Sequence, residues 1–438
     1  MSLRSCEDLA RLRERLAAQR DPQRPIVTLC GGTGCRAKGS EAVYRAFEQE
    51  FERQGLAARV GLVHTGCHGF CERGPLVVVQ PQQILYLGVT AEDVPEIVAK
   101  TLVGGEPVER LLYTDPETGK RIVQEHQVPF YAHQQRVVLD QNGVLDPASI
   151  EDYVSLGGYN ALARVLERMT PEQVIEQVLA ARLRGRGGAG FLTGTKWQLC
   201  RQSPGSPKYI ICNADEGDPG AYMDRSLMEG NPHRVLEGMI IGAYATGALY
   251  GFVYIRNEYP LAVQHLRRAI RQATELGLLG PRILGSDFSL NIEIRLGSGA
   301  FVCGEETALM ASIEGHAGEP RPRPPFPTTR GLWGCPTRIN NVETWANVPL
   351  VLDRGAAWFS GLGSAESGGT KVFSLVGKVR NTGLVEVPMG ATLGHIVMDI
   401  GGGIPKGKRF KAAQLGGPAG GCVPPEHLNV PVDYGTLK

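Results

Sequence analysis

The sequence predicts an α/β protein of several modules, and three observations predict it. Residues 25–104 read β-α-β-β-β-α, a thioredoxin-like order. Between residues 209 and 295 short apolar runs alternate with longer helical periodicities, the pattern of a mainly parallel sheet covered on both faces. Beyond Lys371 a strand, a turn and a short helix make a further small unit. At 438 residues the chain is too long for one ordinary core. The expected division is a domain over residues 1–104, a linker over 105–149, the principal α/β domain over 150–362 and a small domain over 363–438.

Composition narrows the function class. Lys and Arg number 46 against 45 Asp and Glu, a net charge of +1, so the chain lacks the electrostatic footprint of nucleic-acid or membrane-surface binding. Residues 1–19 mix acids with Leu9, Leu12 and Leu16 at helical spacing and read as an amphipathic helix, not a targeting peptide. Residues 238–255 are uncharged and reach the lower length limit of a membrane span. Gly247 and Gly251 break their period, so they read as a buried helix followed by a buried strand, and no direct membrane insertion is expected. Ten cysteines without a leader point to the reducing cytoplasm, where clustered cysteines hold metal more often than they form disulfides.

In the first domain, strands are expected at 26–29, 59–63, 76–79 and 84–87 and helices at 40–54 and 91–103. Two strand exits carry Cys30-Gly-Gly-Thr-Gly-Cys35 and Cys67-His-Gly-Phe-Cys71. Four soft sulfur donors on glycine-rich loops, whose amides can bond to sulfide, suit an iron-sulfur cluster; a structural zinc is the competing reading. His68 alone cannot supply the two histidines of a Rieske centre. The linker is irregular, with turns at 115–119 and 142–143 and a short strand at 136–139.

Helices at 150–155 and 160–169 come next. A third helix, opened by Thr170-Pro171-Glu172-Gln173, leads into Gly185-Arg-Gly-Gly-Ala-Gly-Phe-Leu-Thr-Gly-Thr-Lys196. Glycines 185, 187, 188 and 190 let backbone amides approach a ligand closely, and Arg186 and Lys196 add positive charge, which makes this a phosphate or pyrophosphate loop. A helix rather than a strand precedes it, so it is not a Rossmann turn. A flexible surface turn is the bland alternative.

Strand 209–212 ends at Asn213-Ala-Asp215-Glu216-Gly-Asp218, where open α/β sheets bind ligands. Carboxylates there suit ribityl or ribose hydroxyls, although Asn and Asp also simply form turns. Helices 232–246 and 261–276 alternate with strands 252–255 and 290–295. Cys303-Gly304-Glu305-Glu306-Thr307 enters another helix, a stiff proline-rich run presents Arg323 and Phe326, and Asn340-Asn341-Val-Glu343-Thr344 offers uncharged donors. The tail is read as a strand at 371–379, a turn at 381–383, a helix at 393–400 and a glycine turn over 414–421, with the remaining cysteines buried or free.

The cysteine pairs resemble the thioredoxin-like 2Fe-2S ferredoxin domain of complex I and its relatives; the resemblance implies that Cys30, Cys35, Cys67 and Cys71 ligate one 2Fe-2S cluster. The five later motifs, in this order, resemble the NADH-binding FMN subunit of complex I and the diaphorase subunits of NAD-linked hydrogenases and formate dehydrogenases. That resemblance implies a Rossmann-like FMN-binding α/β domain followed by a small β-grasp domain. It implies that Gly187, Gly188, Lys196, Asn213, Asp215, Glu216, Gly304, Glu305, Asn340, Asn341 and Thr344 line FMN, with Gly185 and Arg186 opening the same loop. Phe191, Glu306, Arg323 and Phe326 would contact NAD(H), Glu306 positioning the nicotinamide, and Asp218 would favour NAD(H) over NADP(H).

Leu192, Leu199 and Arg323 depart from the family's usual Pro, aromatic and Lys, and Asp218 is a shorter acid than its common Glu, so NADP(H) stays the alternative dinucleotide. Family members normally continue into a helical bundle holding a 4Fe-4S cluster. No such cysteine set occurs up to Lys438, and the expected iron-sulfur content is the 2Fe-2S cluster alone. The implied activity is hydride transfer between nicotinamide and FMN, then single electrons to iron-sulfur and catalytic subunits of a redox complex. The alternative is a non-catalytic iron-sulfur relay or scaffold subunit with a vestigial flavin domain.

Overall fold

The computed structural model describes residues 2–116, 118–417 and 420–436. The Ser5 side chain accepts from the Asp8 amide and opens α1 (Cys6–Gln19). The buried Leu9 on this helix joins the core of the principal domain rather than that of residues 26–103. The Leu3 amide reaches Leu276 O at 2.8 Å and Arg13 reaches Asn160 at 2.6 Å. By packing, α1 is therefore a strap on the principal domain, although the sequence places it in the first.

β1 (Ile26–Cys30), α2 (Thr33–Ala37), α3 (Ser40–Gln54), β2 (Gly61–Thr65), β3 (Leu76–Gln80) and β4 (Ile84–Leu87) build the first domain. Its sheet order is β2-β1-β3-β4, with β1 and β2 parallel and the other two pairs antiparallel. Because Cys30 pairs with Thr65 in register, both cysteine loops leave the same edge of the sheet. The expected last helix is an irregular helical run over 91–103 that contains α4 (Val94–Ile97).

A small ladder of β5 (Tyr113–Thr114) and β6 (Arg121–Ile122) and then α5 (Pro129–Ala132) make up the ordered part of the linker. Residue 117 of the expected turn lies outside the described residues. The strand expected at 136–139 does not form: the Val138 and Leu139 amides donate to the Glu386 carboxylate at 2.8 and 2.9 Å instead of to a neighbouring strand.

α6 (Ile150–Ser155), α7 (Asn160–Arg168) and α8 (Pro171–Ala180) follow, the last opened by the Thr170/Gln173 capping box. The principal sheet is fully parallel in the order β10-β7-β8-β9, from β7 (Tyr209–Ala214), β8 (Tyr250–Arg256), β9 (Asn291–Gly297) and β10 (Thr337–Asn341). Around it lie α9 (Thr193–Gln202), α10 (Met223–Gly230), α11 (Pro232–Thr246), α12 (Pro260–Leu276), α13 (Glu306–Ile313), α14 (Pro327–Arg330), α15 (Val342–Arg354) and α16 (Ala356–Gly361). α11 is buried along nearly its whole length. Among the described residues no helix is long and apolar enough to cross a membrane.

The small C-terminal unit consists of two separate two-stranded ladders, β11 (Thr370–Leu375) with β12 (Gly383–Pro388) and β13 (Ala413–Gln414) with β14 (Cys422–Val423), and one irregular helical turn at His395–Ile400. Residues 418–419 of the expected glycine turn lie outside the described residues. This unit shares one core with the cysteine domain, where Val385 and Ile396 pack with Cys30, Phe70 and Phe130.

His233, on the buried α11, sits between the Tyr159 hydroxyl (2.9 Å) and Gln272 Oε1 (3.2 Å), and burial lowers its pKa from 6.5 to about 4. The folded state keeps it neutral while the unfolded chain takes up a proton below about pH 6.5. Its contribution is therefore complete above that pH and lost as the pH falls toward about 4, on the order of 3 kcal/mol in all. The melting temperature of His233→Gln should thus fall less steeply than that of the parent between pH 6.5 and 5. Parallel slopes would contradict this.

Candidate functional site

The glycine loop is the tip of a tight turn closed by the Arg184–Leu192 bridge, with the Gly185 amide on Phe191 O at 2.9 Å, and it feeds directly into α9. Opposite it stand the ends of two neighbouring parallel strands, since Asn341 of β10 pairs in register with Asn213 of β7. The loop is pinned to this edge. The Arg186 amide donates to Thr344 Oγ1 at 2.9 Å, and a Cβ on Gly187 would lie 3.1 Å from that of Asn341. Gly188 differs: it has φ +107° and its side-chain direction faces open space. On the far side Asn213 Nδ2 donates to Gly304 O at 2.9 Å, and Gly304 approaches Asp215 O, so the second glycine turn meets the carboxylate loop. Gly185–Gly190, Asn213–Asp218, Gly304–Glu306 and Asn340–Thr344 thus converge at the C-terminal edge of one parallel sheet.

A charged and aromatic rim borders this edge. Glu306 pairs with Arg323 at 2.6 Å and with Lys196 at 3.3 Å. Burial would raise the Glu306 pKa, but Lys196 and Arg323 outweigh it and hold the carboxyl below its ordinary range. Burial, with the nearby Arg338 charge, pushes Lys196 down. The Lys196 ammonium lies 5.9 Å from the centre of the Phe191 ring. Phe191, Phe326 and Phe301 are 48%, 55% and 60% exposed, and Phe301 lies against Gly217 of the carboxylate loop. Three large rings are thus left exposed along this rim. Phe301 was not among the expected site residues; an aromatic at the mouth of a glycine-framed turn was its available signal.

The four cysteines gather at the junction of the three modules. Cys67 and Cys71 Sγ are 3.4 Å apart, and the buried Cys30 thiol lies close to those of Cys35 and Cys67. Mutual thiol hydrogen bonds, reinforced by burial, push Cys30, Cys67 and Cys71 well up. Thiols so placed ionise when a metal binds among them. The His68 ring is taken up by Thr65 (2.8 Å) and Glu125 (3.4 Å) and does not serve as a ligand.

α10 connects the two places. At its start the Asp224 carboxylate accepts from Asn341 Nδ2 at 2.5 Å, and Tyr222, just before it, lies near Cys71. At its end Glu229 accepts from the Thr33 amide at 3.0 Å, and Gly230 abuts Gly66 so closely that a Cβ on Gly66 would lie 2.3 Å from its Cα.

Comparison with known proteins accords with this geometry. Residues 178–350 match the Nuo51 FMN-binding domain and residues 18–102 the thioredoxin-like 2Fe-2S ferredoxin. An NADH-quinone oxidoreductase component of Rhizobium meliloti is 46% identical over 301 residues, 69% of this chain and 72% of that protein. The chain belongs to the Nuo51 FMN-binding family. Another member, the NADP-reducing hydrogenase subunit HndC of Solidesulfovibrio fructosivorans, is 55% identical over 304 residues, and the match spans 69% of this chain and 62% of that protein's length. The crystal structure of an NAD+-reducing NiFe hydrogenase in the H2-reduced state superposes with a TM-score of 0.61 at 29% identity, covering 99% of this chain and 72% of that one.

The residues of this Nuo51-family chain fit both groups. Open space at Gly188, the N-terminus of α9 with Lys196, and an Asp224 Oδ1 that is buried without a partner make a cradle for a phosphate-bearing polar ring system. The donor set at the junction is four cysteines.

Several expected site side chains also bond within the protein. The Arg186 guanidinium donates to Thr370 O (3.0 Å) and Gly368 O (2.7 Å) and is buried away from the loop. The Glu216 carboxylate caps α10 through the Asp224 and Arg225 amides, and Glu305 caps α13 through Thr307 and Ala308. Asn340 Oδ1 accepts from Trp197 and Arg338, and Thr344 accepts from the Arg186 amide. Asp218 turns its own loop onto the Gly220 amide at 2.6 Å and faces Gly417 of the C-terminal unit.

Proposed function

We propose that this chain is the diaphorase subunit of a multi-subunit redox complex in the cytoplasm, oxidising NADH and delivering single electrons to other iron-sulfur and catalytic subunits. The observation that carries the reading is the single short helix α10, which bonds the flavin-loop edge through Asp224 and, through Glu229, the Thr33 amide between Cys30 and Cys35. Bound FMN would supply exchange of a hydride for single electrons, and a 2Fe-2S cluster held by Cys30, Cys35, Cys67 and Cys71 would supply one-electron storage. The chain's own work is alignment. The loop at Gly187 and Gly188 and the start of α9 hold the phosphate, the Asn213–Asp215 edge faces the ring side, and the bare rings of Phe191, Phe301 and Phe326 receive the dinucleotide. Glu306 is kept ionised by Lys196 and Arg323, so it accepts hydrogen bonds without exchanging a proton.

Asp218 places negative charge at the rim and favours NAD(H); NADP(H) is the alternative, since one relative is named an NADP-reducing hydrogenase subunit. The test is anaerobic reconstitution of the chain with FMN, iron and sulfide, followed by ferricyanide reduction with each dinucleotide. The expected result is one tightly bound flavin and preference for NADH, with Asp218→Ser raising the NADPH-to-NADH ratio of kcat/KM about tenfold. A chain that takes up the cluster but neither binds flavin nor oxidises either dinucleotide would contradict the reading and favour a relay subunit.

A further inference from the structure

Tyr434 lies beyond the residues matched by the flavin-domain family, in a turn near the end of the small C-terminal unit. Its hydroxyl donates to Gly185 O at 2.7 Å, at the entrance of the glycine loop. Its ring lies on Gly190 at the exit: with φ +63°, a Cβ there would lie 2.3 Å from the ring. One side chain thus holds both ends of the loop. Gly190 is glycine because a protein ring occupies that side, whereas Gly188, with open space, faces the other way.

The tail is itself anchored. Val432 exchanges backbone bonds with Ala391 O (2.8 Å) and the Gly390 amide (3.1 Å), and the buried Asp433 carboxylate is hydrogen-bonded to the Ser364 hydroxyl. Arg184 braces the loop from beneath, donating to Gly190 O at 3.0 Å and Glu366 O at 2.9 Å.

We infer that Tyr434 is a positioning residue that clamps the glycine loop in its phosphate-receiving shape before the flavin arrives, making the C-terminal tail part of the flavin site. The inference rests on the flavin reading above. A loop rich in glycine has the most backbone freedom to lose on binding, so a clamp that removes it in advance raises affinity without touching the ligand. The hydroxyl contact and the ring contact contribute separately, and two variants part them.

The experiment measures FMN affinity and release rate, by recovery of free-flavin fluorescence, on flavin-free full-length chain carrying its 2Fe-2S cluster. Tyr434→Phe should weaken binding about threefold and Tyr434→Ala about tenfold, mainly through faster release. Gly190→Ala, which pushes the ring away, should approach the Ala variant. KM for NADH in the flavin-loaded Tyr434→Phe protein should stay at the parent value, and hydrogen exchange should accelerate at 186–190 alone in the flavin-free Tyr434→Ala protein. Unchanged flavin release in Tyr434→Ala, with the cluster signal intact, would overturn the clamp. Should the Ala variant fail to fold, unchanged release in both Tyr434→Phe and Gly190→Ala would do the same. A parent chain that carries its cluster but takes up no flavin would instead overturn the flavin reading.

Discussion

Cys67→Ala removes the iron from this chain and leaves the flavin in place. Cys67 is the middle of the thiol group, 3.4 Å from Cys71 and close to Cys30, so its loss breaks the set into a pair and a single cysteine. A cluster coordinated by four thiolates does not survive the loss of a central one without a replacement ligand. His68 cannot replace it, because its ring is held between Thr65 and Glu125. Iron should fall from about two per chain to background. The glycine loop lies at the edge of another sheet, and Glu216 and Asn341, which hold the start of α10 there, do not bond to the thiols. Flavin content and NADH–ferricyanide turnover should therefore stay near the parent level, while transfer to a one-electron protein acceptor is lost. Iron retained at the parent stoichiometry would contradict the ligand assignment.

The second large effect is expected from Gly188→Val. The residue has φ +107°, a conformation that costs a branched residue on the order of 1–3 kcal/mol, and the new side chain would fill the space the loop leaves for its ligand. FMN binding should weaken by at least about a hundredfold, and turnover with NADH should disappear at ordinary flavin concentrations. Excess FMN should restore little of it. The cluster signal should persist, because the cysteine loops lie on another module. Wild-type flavin affinity in this variant would show that Gly188 does not face the ligand.

Much of this was legible locally. Ser40–Gln54 and Ile84–Leu87 form with the bounds that their periodicity gives, and Thr170 and Gln173 cap their helix as their spacing requires. Asn213 was legible as the end of a strand, whereas its convergence with the glycine loop, Gly304 and Asn341 was what the family resemblance implied.

What the sequence misled on was long-range. The apolar run 136–139 looks like a strand, but its amides are claimed by Glu386, some 250 residues away. Arg186, Glu216 and Glu305 also bond within the protein, to nearby carbonyls and helix ends. Local patterning cannot show which partner reaches a polar group. The α1 strap, the Asp224 link and the Tyr434 clamp escaped notice for the same reason: each acts through contacts with a distant segment.

The central claim is that one chain passes electrons from a dinucleotide site to the cluster held by Cys30, Cys35, Cys67 and Cys71 across α10. The direct test is low-temperature EPR of the isolated, reconstituted chain after anaerobic addition of excess NADH. The account predicts flavin bleaching together with the signal of a reduced 2Fe-2S cluster, and loss of that signal alone in Cys67→Ala. A bleached flavin beside a cluster that only dithionite reduces would contradict it.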